Sequence, residues 1–247
     1  MKEKINIKFT VILILMILLS GVIIWGIIDT KNEYKNAYAI PPLTVNEIKK
    51  ADAKNAKKLM IVAHPDDDLL WGGGHLMDGD YLVVCVTRGY DKVRSEEFRR
   101  VIEASGNEHI ILSYPDKVAG KRDDWTNVKA KISADLDRIM EYKNWDLIVT
   151  HNKDGEYGHQ HHKMTHKIVT NIYEKEKIKS DFYYFGKYHK KADMDKVSGE
   201  LVKLTDEQIE FKEKLMPLYD SQARTLKGLW HMADYEMWQK YDAQTRG

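Results

Sequence analysis

The chain has little cysteine and no marked excess of charge. Cys85 is the only cysteine among 247 residues, so no disulfide can form within the chain. Because 39 basic residues are balanced by 38 acidic ones, the net charge is +1, and we expect no nucleic-acid partner. There is no internal repeat and no low-complexity tract. One α/β domain with its own core is therefore the expected architecture.

The N-terminal part contains a long apolar segment. Residues 10–28 carry no charge and would span about 28 Å as a helix, close to the thickness of a bilayer core. Lys2, Lys4 and Lys8 precede it, which predicts a cytoplasmic tail at 1–9, a transmembrane signal-anchor at 10–28 and an extracytoplasmic remainder. The alternative is a secreted protein cleaved after Ala39, but the apolar run is longer than a usual signal peptide core.

Strand and helix patterns alternate after a polar, extracellular stalk predicted at 29–57. Predicted strands cover 59–63, 81–87, 109–112, 146–150 and 181–185, and predicted helices cover 95–104, 127–142, 161–175 and 205–226. Alternation of this kind favours a Rossmann-like α/β fold, with a mostly parallel sheet flanked by helices, over residues 58–247. Cys85 lies in an apolar strand pattern, and we expect a buried small side chain and not a nucleophile.

Two polar motifs indicate a metal site. Ala63-His64-Pro65-Asp66-Asp67-Asp68 directly follows a predicted strand, at the end where ligands bind in open α/β sheets. Adjacent carboxylates repel one another unless a cation intervenes. Gly158-His159-Gln160-His161-His162 supplies imidazoles from a distant part of the chain. Two histidines and one aspartate from separate loops are typical of a catalytic zinc site.

These motifs, with Gly155-Glu156-Tyr157-Gly158 before His159, resemble those of the PIG-L (LmbE-like) family of zinc-dependent N-acetylglucosaminyl deacetylases. The resemblance extends from about Lys58 to the C-terminus. Its lesser marks are Thr87-Arg88-Gly89, Arg94-x-x-Glu97, Tyr114-Pro115-Asp116, Thr150-His151-Asn152 and Tyr219-Asp220-Ser221-Gln222.

The resemblance implies a role for each motif residue. It implies His64, Asp67 and His162 as zinc ligands and Asp66 as the general base. It implies that His159 holds or protonates the tetrahedral intermediate and the leaving amine, and that Tyr157 polarises the acetyl carbonyl. The same ligand set can bind Fe²⁺, so zinc is expected and iron remains an alternative.

The residues themselves support a division of labour between Asp66 and Asp67. Neighbouring side chains at a strand end point in opposite directions, so one carboxylate can bind the metal while the other reaches its water. Alternatively, the carboxylates at 66–68 cap the N-terminus of the following helix, an interpretation that applies best to Asp68. The family usually has Glu at position 68 and often Asp at 161. We expect Asp68 and His161 to support the site through hydrogen bonds, with His161 altering the pH response of His159.

Arg88, Arg94 and Asp116 are candidate substrate-binding residues. A guanidinium can bind sugar hydroxyls or a phosphate, although solvated surface arginines and a turn after Pro115 are the competing interpretations. Gly72-Gly73-Gly74 lacks the G-x-G-x-x-G spacing, so no nucleotide cofactor is expected.

The sequence thus predicts a membrane-anchored, extracytoplasmic hydrolase that removes the N-acetyl group from an N-acetylglucosamine-type sugar of a cell-surface glycan or glycolipid. A catalytically impaired sugar-binding module of the same fold is the alternative, because positions 68 and 161 depart from the family pattern. A two-metal phosphoesterase is disfavoured, since there is no second dense carboxylate cluster.

Overall fold

A six-stranded sheet forms the centre of the fold. The structure is a computed structural model that describes residues 7–243, so residues 1–6 of the predicted tail lie outside the described residues. The strands are β1 (Lys58–Val62), β2 (Tyr81–Thr87), β3 (Glu108–Tyr114), β6 (Leu147–Thr150), β7 (Asp181–Tyr184) and β8 (Gln239–Lys240), and a separate hairpin pairs β4 (Lys117–Val118) with β5 (Lys121–Arg122). The order is β3-β2-β1-β6-β7-β8, with only β8 antiparallel to its neighbour. The mostly parallel sheet predicted from the sequence is confirmed.

Helices cover both faces of the sheet. They are α1 (Ile7–Tyr38), α2 (Val45–Ala51), α3 (Asp67–Gly72), α4 (Lys92–Ala104), α5 (Lys129–Met140), the irregular α6 (Gly155–Gly158), α7 (Gln160–Lys175), α8 (Met194–Val197), α9 (Asp206–Leu215) and α10 (Ala223–Leu229). On one face, α2, α5 and α7 bury their apolar side chains against the sheet. On the other, α3, α4, α9 and α10 do so, and Cys85 belongs to this second core, fully buried and free.

The order of the strands creates a switch point beside β1. The chain runs from β1 outward through β2 to β3, and then returns to place β6 on the other side of β1. Loops that follow β1 and β6 therefore diverge, and a crevice opens between them at the carboxyl edge of the sheet. Both predicted metal-binding motifs lie at this crevice.

Helix α1 is long and apolar enough to cross a membrane. Its apolar part lies within 10–38, has a mean hydropathy of 3.0, and buries none of its most apolar window against the protein. A signal sequence would have the same properties. The helix continues past Ile28 without a break as far as Tyr38.

In the segment predicted as a stalk, 29–57, residues 29–36 are exposed, and the chain packs against the domain from Tyr38 onward. Residues 29–38 extend α1, and Thr44 begins α2 with a reciprocal capping box to Glu47. Ile48 of α2 is fully buried in the core beside α5. The composition of this segment is polar, but a few apolar residues at helical spacing are sufficient to anchor it.

The single helix predicted at 205–226 is wrong in its extent. Thr205 caps α9 as expected, through a capping box with Gln208, but α9 ends at Leu215. Pro217 follows within a short 3-10 turn, and the chain becomes α-helical again only at Ala223. Proline cannot donate the backbone hydrogen bond that would have continued the helix.

Candidate metal centre and catalytic site

The site is built at the switch point from three segments. His64, Asp66 and Asp67 follow β1, His151 follows β6, and His162 lies in the first turn of α7. Asp66 has a φ of 104°, a left-handed conformation that is strained for aspartate. The strained turn brings both Asp66 and Asp67 to the crevice while α3 begins.

The three predicted ligands His64, Asp67 and His162 meet here, and all are buried. Asp67 Oδ2 lies 3.2 Å from His64 Nδ1, and Asp67 Oδ1 lies 3.2 Å from His162 Nε2. His162 Nε2 is buried without a hydrogen-bond partner among the described residues. Each carboxylate oxygen therefore faces an imidazole nitrogen, and the protonation of these nitrogens decides what the site can bind.

Glu156 controls the proton on His162. Its Oε2 lies 3.0 Å from His151 Nδ1 and also accepts a hydrogen bond from His162 Nδ1. Burial alone would raise the pKa of Glu156, but His151 and His162 lower it to about 2, so the carboxylate is charged. Because Glu156 holds the Nδ1 proton, a neutral His162 would present the lone pair of Nε2 toward Asp67, which is the arrangement typical of metal-ligating histidines.

His151 supports the same carboxylate but is occupied on both ring nitrogens. Ala63 N donates to His151 Nε2 at 2.9 Å, which leaves the ring proton on Nδ1, toward Glu156. His151 Nε2 also lies 3.5 Å from Asp67, and His151, Asp67 and His162 together form a cluster of metal-ligating type. Because its lone pair already accepts the Ala63 amide, we interpret His151 as a support for Glu156 and not as a ligand.

His161 controls the proton on His64. His161 Nε2 donates to the Asp123 carbonyl at 2.7 Å, so its Nδ1 accepts from His64 Nε2 at 3.1 Å. When the His64 ring is neutral, Nδ1 is then the unprotonated nitrogen that faces Asp67. The His161 ring is stacked on Trp125, with centroids 4.3 Å apart and planes 7° apart. Burial and the charge of His64 lower the pKa of His161 to about 3, consistent with a neutral ring.

With these tautomers, the centre is stable only when a positive charge is bound in it. If His64 and His162 are neutral, both oxygens of Asp67 face lone pairs at 3.2 Å, which is repulsive unless a cation lies between them. Burial opposes a charge on His162, yet Asp67 and Glu156 raise its pKa to about 10. A proton or a divalent ion satisfies this demand, and two imidazoles with one carboxylate are a donor set that fits Zn²⁺.

His159 and Asp116 offer further ligand atoms nearby. His64, His159 and His162 form one cluster of metal-ligating type, and His64, Asp116 and His161 form another. In the cluster of His64, Asp116 and His161, Asp116 already accepts hydrogen bonds from Arg88 and Arg122, which supply its counter-charge. Asp67, in contrast, is paired only with histidines and with no lysine or arginine among the described residues.

Asp66 lies beside the ligands and is held by Arg94. Arg94 is itself nearly buried; it donates to the Pro65 carbonyl, and its Nη2 lies 3.5 Å from Asp66 Oδ2. Burial and repulsion from Asp67 raise the pKa of Asp66 to about 7, against the attraction of Arg94. A carboxylate with a pKa in this range can take and release a proton at neutral pH. Arg94, predicted to bind substrate, contacts Asp66 and also forms part of the cavity wall.

Asp68 braces the strained turn. Its Oδ1 accepts from Asp66 N at 3.1 Å and from Tyr219 Oη at 2.7 Å. The N-terminus of α3 has no side-chain cap, so the structure does not support the capping alternative for these carboxylates. Burial raises the pKa of Asp68 to about 7, although the Tyr219 hydroxyl opposes the shift.

His159 and Tyr157 line the open side of the centre. The His159 ring centroid lies 4.4 Å from that of His162 and 4.7 Å from that of His64, and its Nδ1 is buried without a partner among the described residues. Burial, with the charges of His162 and His64, lowers the pKa of His159 to about 2. Tyr157 is 42% exposed, and its ring lies 5.9 Å from that of His159. The His161 ring centroid lies 5.7 Å from that of His159, and the hydrogen bond of His161 Nδ1 is to His64.

A cavity of about 380 Å³ opens onto these groups. Arg88, Asp116, Lys117 and Arg122 form part of its wall. Arg88 Nε donates to Asp116 Oδ2 at 3.0 Å and its Nη1 donates to Asp91 at 3.2 Å, so two carboxylates hold the half-buried arginine. The attraction of His64, Arg88 and Arg122 holds the pKa of Asp116 well below its usual range, although burial opposes this. A larger hollow of about 600 Å³ lies at the opposite edge of the sheet, around 140–146 and 176–181, away from the ligands.

Sequence reasoning missed Glu156 and the role of His151. Both belong to motifs that were recognised, but no local pattern shows that Glu156 binds two imidazoles. Gly155 and Glu156 have positive φ values of 66° and 54°, and this unusual turn is what aims the Glu156 side chain inward. A run of two small or polar residues ahead of a histidine motif is too weak a pattern to predict it.

Comparisons with known proteins agree with the fold and the motifs. Residues 59–173 match the family model described as PIG-L: GlcNAc-PI de-N-acetylase. The chain is 31% identical over 134 residues to an uncharacterised protein of Acanthamoeba polyphaga mimivirus, an alignment that covers 47% of this chain and 58% of that protein. The chain thus spans somewhat more than half the length of this relative.

Three solved structures share the fold at low sequence identity. N,N′-diacetylchitobiose deacetylase from Pyrococcus horikoshii is 17% identical, with a TM-score of 0.55 over 78% of this chain and 86% of its own. An antimicrobial pseudoaglycone deacetylase is 18% identical, with a TM-score of 0.54 over 70% and 85%. A conserved protein from Thermus thermophilus is 17% identical, with a TM-score of 0.52 over 78% and 100%.

Proposed function

We propose that the protein is a metal-dependent amide hydrolase that removes the N-acetyl group from an N-acetylglucosamine-type sugar, as the match of residues 59–173 to the PIG-L family model supports. The observation that carries the proposal is the placement of His64 Nδ1 and His162 Nε2, each 3.2 Å from an oxygen of Asp67. The names of the matched family and of two structural neighbours support the choice of a deacetylation reaction.

His64, Asp67 and His162 would hold the ion, with Zn²⁺ proposed and Fe²⁺ as the alternative. A bound divalent ion would lower the pKa of a water molecule toward about 7 and polarise the acetyl carbonyl. Glu156 and His161 fix the tautomers of the two histidine ligands, so that the lone pairs stay directed at the ion.

Asp66 would act as the general base, because it lies beside Asp67 and its pKa of about 7 suits proton transfer. It takes the proton from the attacking water, and the carbonyl carbon becomes tetrahedral. His159 and Tyr157 donate hydrogen bonds to the developing oxyanion from the open side of the centre. The C–N bond then breaks as the proton held by Asp66 passes to the leaving nitrogen, and the products are acetate and a free amino sugar.

Residues of the cavity wall are proposed to contact the substrate. Arg88 and Asp116 present fixed hydrogen-bonding groups at the mouth, suited to sugar hydroxyls. Arg94 is proposed to position Asp66, which replaces its predicted direct contact with the substrate.

We further propose that α1 is retained as a single-pass membrane anchor with the catalytic domain outside the cytoplasm. Tyr38, which precedes the cleavage site considered at Ala39, is helical and bonded to Asp123, so this region is packed and not an open peptide. Protease added to intact cells should then degrade the domain. A domain that stays protected would contradict the orientation, and a secreted form that begins at residue 40 would contradict the anchor.

Acetate release tests the proposed activity. The detergent-solubilised full chain, loaded with Zn²⁺, should release acetate from N,N′-diacetylchitobiose, and a chelator should abolish the release. Glu213→Gln, an exposed change in α9, serves as a control for handling and charge. A protein that binds the disaccharide and zinc but releases no acetate from it or from larger N-acetylated glycans would be the sugar-binding module and not the enzyme.

A further inference from the structure

Two sequence motifs that the proposed chemistry leaves largely unused meet in the structure. Glu97 of α4 is buried, and both of its carboxylate oxygens accept hydrogen bonds from Ser221, from the backbone N–H at 2.7 Å and from Oγ at 2.6 Å. A buried carboxylate is costly unless it is hydrogen-bonded, so Ser221 is held firmly at this place. Glu97 thus joins Arg94-x-x-Glu97 to Tyr219-Asp220-Ser221-Gln222, far along the chain.

A second contact fixes the same C-terminal segment to the metal-binding turn. Tyr219 is fully buried, and its Oη donates to Asp68 Oδ1 at 2.7 Å. The same oxygen accepts the backbone N–H of Asp66 at 3.1 Å. The segment is therefore held at positions 219 and 221, and two buried carboxylates set its place relative to Asp66.

Gln222 follows these two contacts and faces the catalytic cavity. It forms part of the cavity wall together with Thr225, which lies one turn further along in α10. Gln222 Nε2 donates to Ser221 Oγ at 3.0 Å, while its Oε1 has no hydrogen-bond partner among the described residues. A carboxamide has two N–H donors and one carbonyl acceptor. Because one donor is bound to Ser221, the amide is oriented, and its other N–H and its oxygen remain available to a ligand.

Two arginines of the cavity wall are engaged in ion pairs, whereas the C-terminal part of the wall is uncharged. Arg88 and Arg122 both pair with Asp116. Gln222 and Thr225, in contrast, are neutral side chains that can each donate and accept hydrogen bonds. A sugar hydroxyl does the same. A wall that binds a hydroxyl disfavours substrates that lack it, because its own polar groups are then left unpaired.

We propose that Gln222 binds a hydroxyl group of the N-acetylated sugar, and that Ser221, fixed by the Glu97 carboxylate, is a positioning residue that orients the Gln222 amide. The inference rests on the proposed function, and it adds a residue that favours sugars over other N-acetylated amines. The hydrogen bond of Gln222 involves none of the metal ligands, so its loss should weaken substrate binding and leave the chemical step nearly intact.

Gln222→Ala tests the contact, with Asp220→Ala as the matched control. Asp220 is exposed in the same turn, and its side chain has no hydrogen-bond partner among the described residues. In the zinc-loaded full chain, Gln222→Ala should raise the KM for N,N′-diacetylchitobiose by about 5- to 10-fold, the effect of one or two lost hydrogen bonds. The Kd for the disaccharide, measured by titration calorimetry, should rise equally. The kcat should stay within about threefold and the Tm should not change, while Asp220→Ala should match wild type throughout.

The calorimetric measurement separates this inference from the proposed function. A KM and a Kd within twofold of wild type in Gln222→Ala would overturn the inference. If the parent binds the disaccharide but releases no acetate, the proposed function is contradicted, and the ratio of the two affinities still decides whether Gln222 binds the sugar.

The positioning role of Ser221 is tested separately. Ser221→Ala removes the hydroxyl that accepts from Gln222 but keeps the backbone N–H that donates to Glu97 Oε1. We expect the KM to rise by about threefold, whereas Ser221→Thr, which keeps the hydroxyl, should match wild type. In a Gln222→Ala background Ser221→Ala should add nothing, because both changes act through the same amide. A lower Tm with an unchanged KM in Ser221→Ala, or KM effects that multiply in the double variant, would overturn the positioning role.

Discussion

Glu156→Gln tests the inferred control of the metal site by a residue that touches no substrate. The side chains are nearly equal in size, but glutamine replaces one acceptor oxygen with an NH₂ group and removes the charge. Glu156 accepts hydrogen bonds from His151, His162 and the Asn152 amide at the same time. In the variant, the amide orientation that keeps the carbonyl oxygen on the two histidines turns the NH₂ group toward the Asn152 N–H, and the opposite orientation places a donor against the ring protons. His162 can relieve this conflict by moving its proton to Nε2, and the metal-binding lone pair is then lost.

The magnitude follows from these contacts. Loss of a carboxylate that orients a histidine ligand typically weakens metal binding by about 10- to 100-fold, which corresponds to about 1.4–2.7 kcal/mol. The apo protein should also lose about 1.5–3 kcal/mol of stability, the contribution of hydrogen bonds to a buried charge. Zinc titration of the apo protein against a competing chelator measures the first effect and thermal melting measures the second, with Glu213→Gln as the control. Zinc affinity within twofold of wild type would refute the assignment of the tautomer to Glu156.

Three further changes probe other parts of the account. Asp66→Asn should keep zinc bound and the fold intact while kcat falls by about 10²- to 10⁴-fold, because the general base is lost; near-normal deacetylation kinetics would contradict that role. His161→Phe keeps a ring on Trp125 but removes the acceptor for His64 Nε2, so the Kd for zinc should rise by about 10-fold, and an unchanged Kd would show that His64 is oriented in another way. Glu236 forms a buried ion pair with Lys212 and accepts a hydrogen bond from His75 Nδ1 at 2.7 Å; burial opposes its charge, but these partners lower its pKa. A lowered pKa in the folded state means that Glu236 stabilises the fold above the unfolded-state pKa of about 4.3, and that this stability is lost as the pH falls below it. Glu236→Gln should therefore cost about 3–5 kcal/mol at pH 7 and flatten the acid limb of a plot of Tm against pH, and a limb as steep as that of wild type would contradict the reasoning.

The sheet could be predicted from the sequence because its strands are buried on both faces. β1 and β2 consist almost wholly of apolar residues, and such runs are characteristic of parallel strands covered by helices. β8 was not predicted, since two exposed residues that pair with the edge of β7 carry no periodicity. The packing of 29–57 was also missed, because its contacts with α5 and the hairpin depend on residues distant in the chain.

Part of the candidate site could likewise be predicted from the sequence, and part could not. His64, Asp66, Asp67, His159 and His162 could be singled out because histidines and carboxylates cluster in two short motifs. Arg94 was assigned to the substrate because a sequence shows its charge but not the Pro65 carbonyl or the Asp66 carboxylate that it contacts. The tautomers of the ligands depend on Glu156 and on the Asp123 carbonyl, and only the three-dimensional arrangement reveals these acceptors.

The central claim is that one divalent ion, held by His64, Asp67 and His162, is required for deacetylation. The most direct measurement titrates Zn²⁺ into the metal-free full chain while bound metal and acetate release from N,N′-diacetylchitobiose are followed on the same samples. The account predicts that acetate release rises linearly and reaches its plateau at about one zinc per chain. It also predicts that Asp67→Ala neither retains the ion nor turns over. Full activity in the metal-free protein, or a full complement of tightly bound zinc in Asp67→Ala, would contradict it.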